Sequence, residues 1–391
     1  MRQMNTFKLG FLQVWTRRSR LFIQWAMVCI GLALVSGFFT FEKSTDAQLV
    51  NDLSSIDQIW CAKGSPLQGL LANVYHIDNP TGNISLSEVN EYAQNPMIER
   101  VTRISYGDVY KGRRILGADA SWSDLYSLNP TEGKLPENEM EVALSKALSA
   151  ELGLKVGSTF HGQHGNAESG HEHEEDYVVV GIYENTGTVA DRILLTSLSS
   201  VWHVHHSDEE SKEITAALIE TTSPMALFQL PRLINSKSTF QAVLPSIEVN
   251  RIHALLGNTQ SAFIALSALF LLLGGLSIGI TIHETVRAQQ FDHTLLRVFG
   301  LSPFRLALTI WTQTLLLLGS AWVVGMLFIK LTIYALSPTI AVDYGLELQF
   351  EVMNSTDFKL LAVAIILGLI IAIPPVIRIF KTTIHKNLKN A

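Results

Sequence analysis

Four long apolar stretches separated by polar chain set the pattern of this sequence, at about residues 21–41, 259–282, 304–334 and 358–377. Each reaches the roughly 20 residues that a helix needs to cross the hydrocarbon core of a bilayer. Ala262 to Ile282 and Leu306 to Ile329 carry no charge at all. Between them, His283 to Arg297 has no Pro or Gly, so the helical period continues beyond the apolar run. Phe291, Leu295 and Phe299 recur every four residues and give one apolar side, while Arg287, Gln290, His293 and Arg297 occupy the other. Gly300 reads as a helix stop, and Ser302-Pro303 as an N-cap with Pro at the first helical position. The pattern predicts two membrane helices joined by a short amphipathic helix that ends at a glycine turn.

The polar stretch 42–257 is large enough for a core of its own and has a mixed α/β rhythm. Ile84–Gln94 predicts a helix with Ser87 as its cap, and Glu141–Leu152 a helix closed by Gly153. Glu99–Ile104, Arg113–Leu116, Tyr177–Tyr183 and Ala216–Glu220 predict strands. The expected fold is thus an α-helical membrane protein with four transmembrane helices, plus a large α/β extracytoplasmic domain of two lobes between helices 1 and 2. The second lobe is expected at about 117–207.

Charge decides the orientation. Phe7, Phe11, Val14 and Trp15 share a helical face among Lys8, Arg17, Arg18 and Arg20, so residues 1–20 predict a helix lying in the inner interface. The tail 378–391 is basic, whereas the loop 337–357 carries Asp343, Glu347, Glu351 and Asp357 without Lys or Arg. The positive-inside rule then places both termini and the 283–303 crossing in the cytoplasm, and residues 42–257 outside it. The first span lacks a small-residue cleavage site and reads as a retained anchor. Gln24 and Lys330 are the polar residues near the spans, with Lys330 expected to snorkel to the outer interface. Gly274, Gly275 and Gly279 suit close helix packing in a dimer, although generic packing explains small residues in a span equally well.

Composition narrows the function. Apolar residues make up 48% of the 391, and the net charge of −6 argues against a nucleic-acid partner. Cys29 lies in the first span and Cys61 beyond it, so no disulfide within one compartment and no cysteine metal knuckle is expected. No G-x-x-x-x-G-K-[ST], H-E-x-x-H or G-x-S-x-G motif occurs, so the chain is expected to be non-catalytic. One tract is chemically distinctive: HGQHGNAESGHEHEEDY supplies His161, His164, His171 and His173 among carboxylates, and VWHVHHSDEE adds His203, His205 and His206. Imidazoles and carboxylates ligate Zn2+ and similar divalent ions. The competing reading is a glycine-rich polar hairpin with weak, unspecific metal affinity.

The segment HETVRAQQFDHTLLRVFGLSPFRL resembles the cytoplasmic crossing of FtsX/MacB-type ABC permeases, also called type VII or mechanotransmission permeases. The matching turn is Leu296-Arg297-Val298-Phe299-Gly300-Leu301-Ser302, with Glu284 and Arg287 in the lead-in and Asp292 where a Glu is more usual. RRILGADASW, EVALSKALSAELGLKVGSTF and YVVVGIYENTGTVADRILLTSLSSV are similar to the family's extracytoplasmic domain. The resemblance implies a multi-pass protein of a bacterial cytoplasmic (inner) membrane. Its partners would be a cytoplasmic ABC ATPase dimer, which holds ATP and Mg2+, and a second permease subunit, identical or related. It assigns ATPase coupling to Glu284, Arg287, Phe291, Leu295, Arg297, Phe299 and Gly300. It also implies work at the outer face, such as lipoprotein, peptide or lipid export. The His tract, which is no part of that resemblance, points instead to zinc or other divalent-metal handling with a periplasmic or metal-binding partner. A metal receptor independent of any ATPase is a further alternative.

Overall fold

The computed structural model describes residues 11–12, 14–15, 18–53, 55–163, 172–204, 212–344, 348 and 351–381. Two compact units account for them: a helical one (Met1–Ser44, Leu256–Pro338, Leu348–Ala391) and an α/β one (Thr45–Leu255, Thr339–Glu347). The chain passes between the two units within helix α1, Arg18–Leu53, and again within a helix running from Pro245 to Ala288.

The α/β unit follows the chain as β1 (Gln58–Ala62), α2 (Pro66–Asn73), β2 (Ile84–Ser85), α3 (Leu86–Ala93), β3 (Ile98–Tyr110), β4 (Arg113–Ala118), α4 (Ser121–Leu125), β5 (Pro130–Gly133), β6 (Glu141–Ser145) and α5 (Lys146–Leu152). It continues through β7 (Thr159–Gln163), β8 (Glu172–Tyr183), β9 (Leu194–Ser197), α6 (Leu198–Val204), β10 (Glu213–Ile214), β11 (Ala216–Thr221), α7 (Ala226–Lys237) and β12 (Phe240–Val243). The sheet order is β12-β1-β11-β3-β4-β9-β6-β8-β5, with β7 pairing β3 and β8 off that path. Pairs β4/β9 and β6/β8 are parallel and the rest antiparallel, so the sheet is mixed. Trp122, Tyr183, Ile104, Leu116 and Leu70 lie at the centre of its largest core, all fully buried.

Two predicted elements change type. The expected helix Glu141–Leu152 divides into strand β6 and helix α5. Strand β6 lies between β8 and β9, so both its edges are paired, and the consecutive burial of Val142, Ala143, Leu144 and Ser145 shows that both its faces are covered. A strand buried on both sides loses the alternation that marks strands in sequence. The Ser145 hydroxyl accepts from the Leu148 N–H at 3.1 Å and starts α5 there, and Gly153 closes it at φ 71° as expected. Similarly, Ile84 and Ser85 pair with β10, so helix α3 begins at Leu86 with Ser85, not Ser87, at the N-cap position.

The helical unit contains α1 and α8 (Pro245–Ala288), followed by α9 (Gln290–Val298), α10 (Pro303–Tyr344), α11 (Ser355–Ile371) and α12 (Ile373–Lys381). Among the described residues, four helical segments are long and apolar enough to cross a membrane: Leu21–Leu53, Pro245–Ala288, Pro303–Ser337 and Ser355–Lys381. Helix α10 runs further than the sequence predicts, through part of the expected loop 337–357. Of the predicted interfacial helix 1–20, most residues lie outside the described ones; Phe11 and Trp15 stack with ring centroids 6.1 Å apart. The glycine row packs within the chain. A Cβ at Gly274 would meet Val28 at 2.8 Å, and Cβ atoms at Gly275 and Gly279 would meet Ile371 at 2.9 Å. Small residues here let α8 approach α1 and α11, where lipid offers no hydrophobic drive for association.

In the α/β unit His76, at φ 56°, turns its Nδ1 to the Tyr106 hydroxyl, which donates to the Ala72 carbonyl. The Arg114 guanidinium lies 4.8 Å from the Tyr106 ring centre. Burial, reinforced by the charges of Arg192 and Arg114, lowers the His76 pKa to about 3. The folded state therefore keeps His76 neutral, while the unfolded chain takes up a proton near the ordinary value of about 6.5. Stability from this site is complete above pH 6.5 and is lost as pH falls from there towards 3. By pH 4.5 the loss is on the order of 2–3 kcal/mol. His76→Asn suits the left-handed backbone and cannot protonate, so it should flatten the thermal-unfolding profile of the full chain between pH 6.5 and 4.5. An unchanged slope would assign the acid sensitivity to other groups.

Candidate functional site

The crossing between α8 and α10 is built by one break and one turn. The chain leaves the α8 helical path at Gln289 (φ −99°, ψ 22°), yet Gln289 N–H still reaches the Thr285 carbonyl at 3.0 Å and His293 N–H the Gln289 carbonyl at 3.0 Å. Helix α9 thus starts almost without a gap. It stops at Gly300, whose φ of 93° is open to glycine but strained for other residues. Leu301 N–H donates to the Leu296 carbonyl and Gly300 N–H to the Arg297 carbonyl, both at 3.0 Å, which is the Schellman pairing. Ser302 Oγ accepts from Arg305 N–H at 3.3 Å and Pro303 opens α10, as the sequence predicts.

This frame sorts the predicted residues by face. Phe291, Leu295, Val298 and Phe299 are exposed, Phe299 by 69%. Glu284, Arg287 and Gly300 are exposed as well, and Arg297 is half-buried. The opposite side of α9 packs inward through buried Thr294, whose hydroxyl donates to the Gln290 carbonyl at 2.7 Å, and half-buried Leu296. Apolar residues on a short helix between charged neighbours would ordinarily turn inward, so the outward row is the unusual feature.

Behind α9 lies a cavity of about 20 Å³, room for about one water, lined in part by Thr285, Gln289, His293, Thr309 and Gln313. Gln289 Oε1 is buried there without a hydrogen-bond partner among the described residues. Burial holds the His293 imidazole below its ordinary pKa, with Asp292 opposing. Arg378 of α12 lies beside Gln290 at the start of α9. With the Gln290 amide oxygen turned towards it, Arg378 donates at 3.0 and 2.7 Å, and its Nη1 lies 3.4 Å from His283 Nε2. In sequence Arg378 is only one basic residue of a tail, and no local pattern links it to Gln290.

The metal candidates divide differently. His161 Nδ1 lies 3.3 Å from Asp176 Oδ1, and His203 Nδ1 3.4 Å from Glu139 Oε2. His164, His171, His205 and His206, together with the His173 side chain, lie outside the described residues. Among the described residues no group of three or more His, Cys, Asp or Glu is placed to hold a metal.

Among the described residues, four apolar helices accompanied by a mixed-sheet α/β domain define a multi-pass membrane protein with a separate α/β domain. The family model described as "MacB-like periplasmic core domain" matches residues 26–230, and the chain belongs to that family, as a MacB/FtsX-like ABC transporter permease. Solved structures similar to it include two transporter domains. The periplasmic region of MacB from Actinobacillus actinomycetemcomitans is 15% identical, with 52% of this chain and 97% of that chain covered and a TM-score of 0.35. The extracellular domain of the noncanonic ABC-type transporter YknZ from Gram-positive bacteria is 12% identical, with 48% and 98% covered and a TM-score of 0.32. No curated protein matches the chain.

The turn at Gly300 is testable by itself. Gly300→Ala has open space for its Cβ, so its cost is the positive φ alone, about 1 kcal/mol. It should lower the thermal midpoint of the full chain in detergent, with Gly300→Asn intermediate. Equal midpoints for all three proteins would show that the turn tolerates side chains freely.

Proposed function

We propose that α9 is the coupling helix of a type VII permease subunit. A separate cytoplasmic ABC ATPase dimer hydrolyses ATP and drives it, and this chain performs no catalysis of its own. The carrying observation is the outward apolar row Phe291, Leu295 and Phe299, flanked by Glu284, Arg287 and Arg297. An apolar row of this kind suits a protein groove, and its charged flanks set the register against a partner. Closure of the ATPase pushes α9, and α8 carries the displacement, because it continues from Ala288 back to Pro245 as one helix. Movement of the extracytoplasmic domain, in two lobes with the second at about 117–207, is the output. Both termini lie in the cytoplasm, and a second permease copy completes the transporter.

The His tract supports a second proposal, that the domain handles zinc or another divalent ion at its outer face. Its support is the density of imidazole and carboxylate in residues 161–176, and the His161–Asp176 pair at the root of that hairpin. Export or extraction of lipoprotein, peptide or lipid is the reading that remains if the tract binds nothing.

Phe291→Asp with Leu295→Asp should abolish co-purification of the ATPase with this permease while leaving its thermal midpoint within a few degrees, since both residues are exposed. Undiminished ATPase recovery would remove α9 as the docking element. For the metal proposal, zinc titration by calorimetry on the full chain should show saturable binding. Replacement of His161, His164, His171 and His173 by Ala should reduce it at least tenfold. Equal heats from the two proteins would exclude the tract as a site.

A further inference from the structure

Lys330 does not reach for an interface. It is 7% exposed, and its Nζ lies 3.2 Å from Oδ2 of Asp357, itself 1% exposed. Asp357 stands in the first turn of α11, where its carboxylate also accepts from the Asn354 N–H at 3.0 Å, and the Asn354 side chain accepts from Asp357 N–H at 2.9 Å. This capping box fixes the carboxylate in place. Its other oxygen accepts from the Ser36 hydroxyl of α1 at 2.7 Å, and its carbonyl accepts from the Trp322 indole of α10 at 3.0 Å. One residue therefore ties together α1, α10 and the start of α11.

Ionisable groups buried within a membrane bundle are costly and are retained where they have a task. Each charge here is tolerable only while the other is beside it. Lys330 Nζ stands at ion-pair distance but off hydrogen-bond alignment, and its hydrogens meet no other acceptor among the described residues. Charge, rather than an aligned hydrogen bond, joins the two. Nearby contacts repeat the theme at lower burial: Lys43 pairs with Glu351, and Gln260 donates to Glu42 at 3.0 Å.

We propose that Lys330 and Asp357 form a buried charge clasp that makes α1, α10 and the N-terminal end of α11 one block at this end of the bundle. Separating α10 from α11 leaves both charges unpaired in an apolar surrounding, and withdrawing α1 strips Asp357 of the Ser36 hydrogen bond, so conformational change in this protein moves the three together. The clasp is a conformational device of the membrane unit and stands independently of ATPase docking and of metal binding.

The test is a double-mutant cycle on the full chain in detergent micelles, with Lys330→Met, Asp357→Asn and the pair combined. Asn at 357 keeps one acceptor oxygen for the Asn354 N–H and can turn its NH2 to the Ser36 hydroxyl, which also accepts, while losing the charge. Each single variant should lower the thermal midpoint by several degrees, and the double variant should recover part of that loss because no charge is left unpaired. Hydrogen exchange in Lys330→Met should rise around residues 33–40 as well as 354–364, whereas a purely local cap would affect α11 alone. An unchanged midpoint in Lys330→Met, additive losses, or exchange confined to α11 would overturn the proposal. If a single variant fails to fold, a folded double variant still supports the clasp, and a double variant that also fails counts against it.

Discussion

The close approach of α8 to α1 and α11 is the contact on which the membrane unit depends. Apolar side chains gain nothing by leaving lipid for one another, so helices there associate through fit and through polar contacts. Gly274, Gly275 and Gly279 remove the side chains that would hold α8 away from Val28 and Ile371. The Gln24 amide then reaches the Thr281 hydroxyl at 2.9 Å, a hydrogen bond made in a medium without competing water. Further along α8, Ile278, Ile282 and Val286 enter the same core as Leu306, Ile310 and Val376. The position of α9 follows from this packing, since only Gln289 separates it from α8.

The α/β domain is held by different physics. Its core is closed by water on the outside, and large side chains such as Trp60, Trp122 and Tyr177 are fully buried. Some polar groups taken inside find partners: Thr221 N–H and hydroxyl both donate to Asp57, and the Tyr183 hydroxyl donates to the Ala190 carbonyl at 2.8 Å, whereas Trp122 Nε1 and the Tyr177 hydroxyl meet none among the described residues. The two units thus obey opposite rules for the same residue types. Exposed Leu272, Leu276 and Phe328 are ordinary in a bilayer, whereas they would mark a binding patch on a soluble domain.

Sequence pattern was most legible where a single period dominates. The four spans, the Gly300 stop, the Ser302-Pro303 restart and the strands beginning near Ile98, Arg113 and Ala216 all follow from local spacing. It was least legible where tertiary burial overrides that spacing. EVALS reads as helix because a strand covered on both faces need not alternate, and only its place between β8 and β9 reveals it. Lys330 misled for a related reason: a lysine near the end of an apolar run usually snorkels, and its partner Asp357 lies beyond a polar loop. Arg378 and Gln290 show the same limit, because long-range polar pairs leave no trace in local periodicity. The outward orientation of Phe291 and Leu295 was readable as amphipathicity, although which side faces away from the bundle was not.

Strand β1, near the start of the α/β domain, pairs directly with β12, near its end, with Ile59 opposite Val243 and Cys61 opposite Gln241. The chain therefore enters and leaves this domain on adjacent rungs of one sheet. For the rest of the polypeptide, such a domain makes the same demand on connectivity as a short hairpin. It can be enlarged, trimmed or exchanged in the course of descent without redrawing the path of the helices on either side. A scaffold with that freedom can keep one set of membrane helices while its α/β module changes.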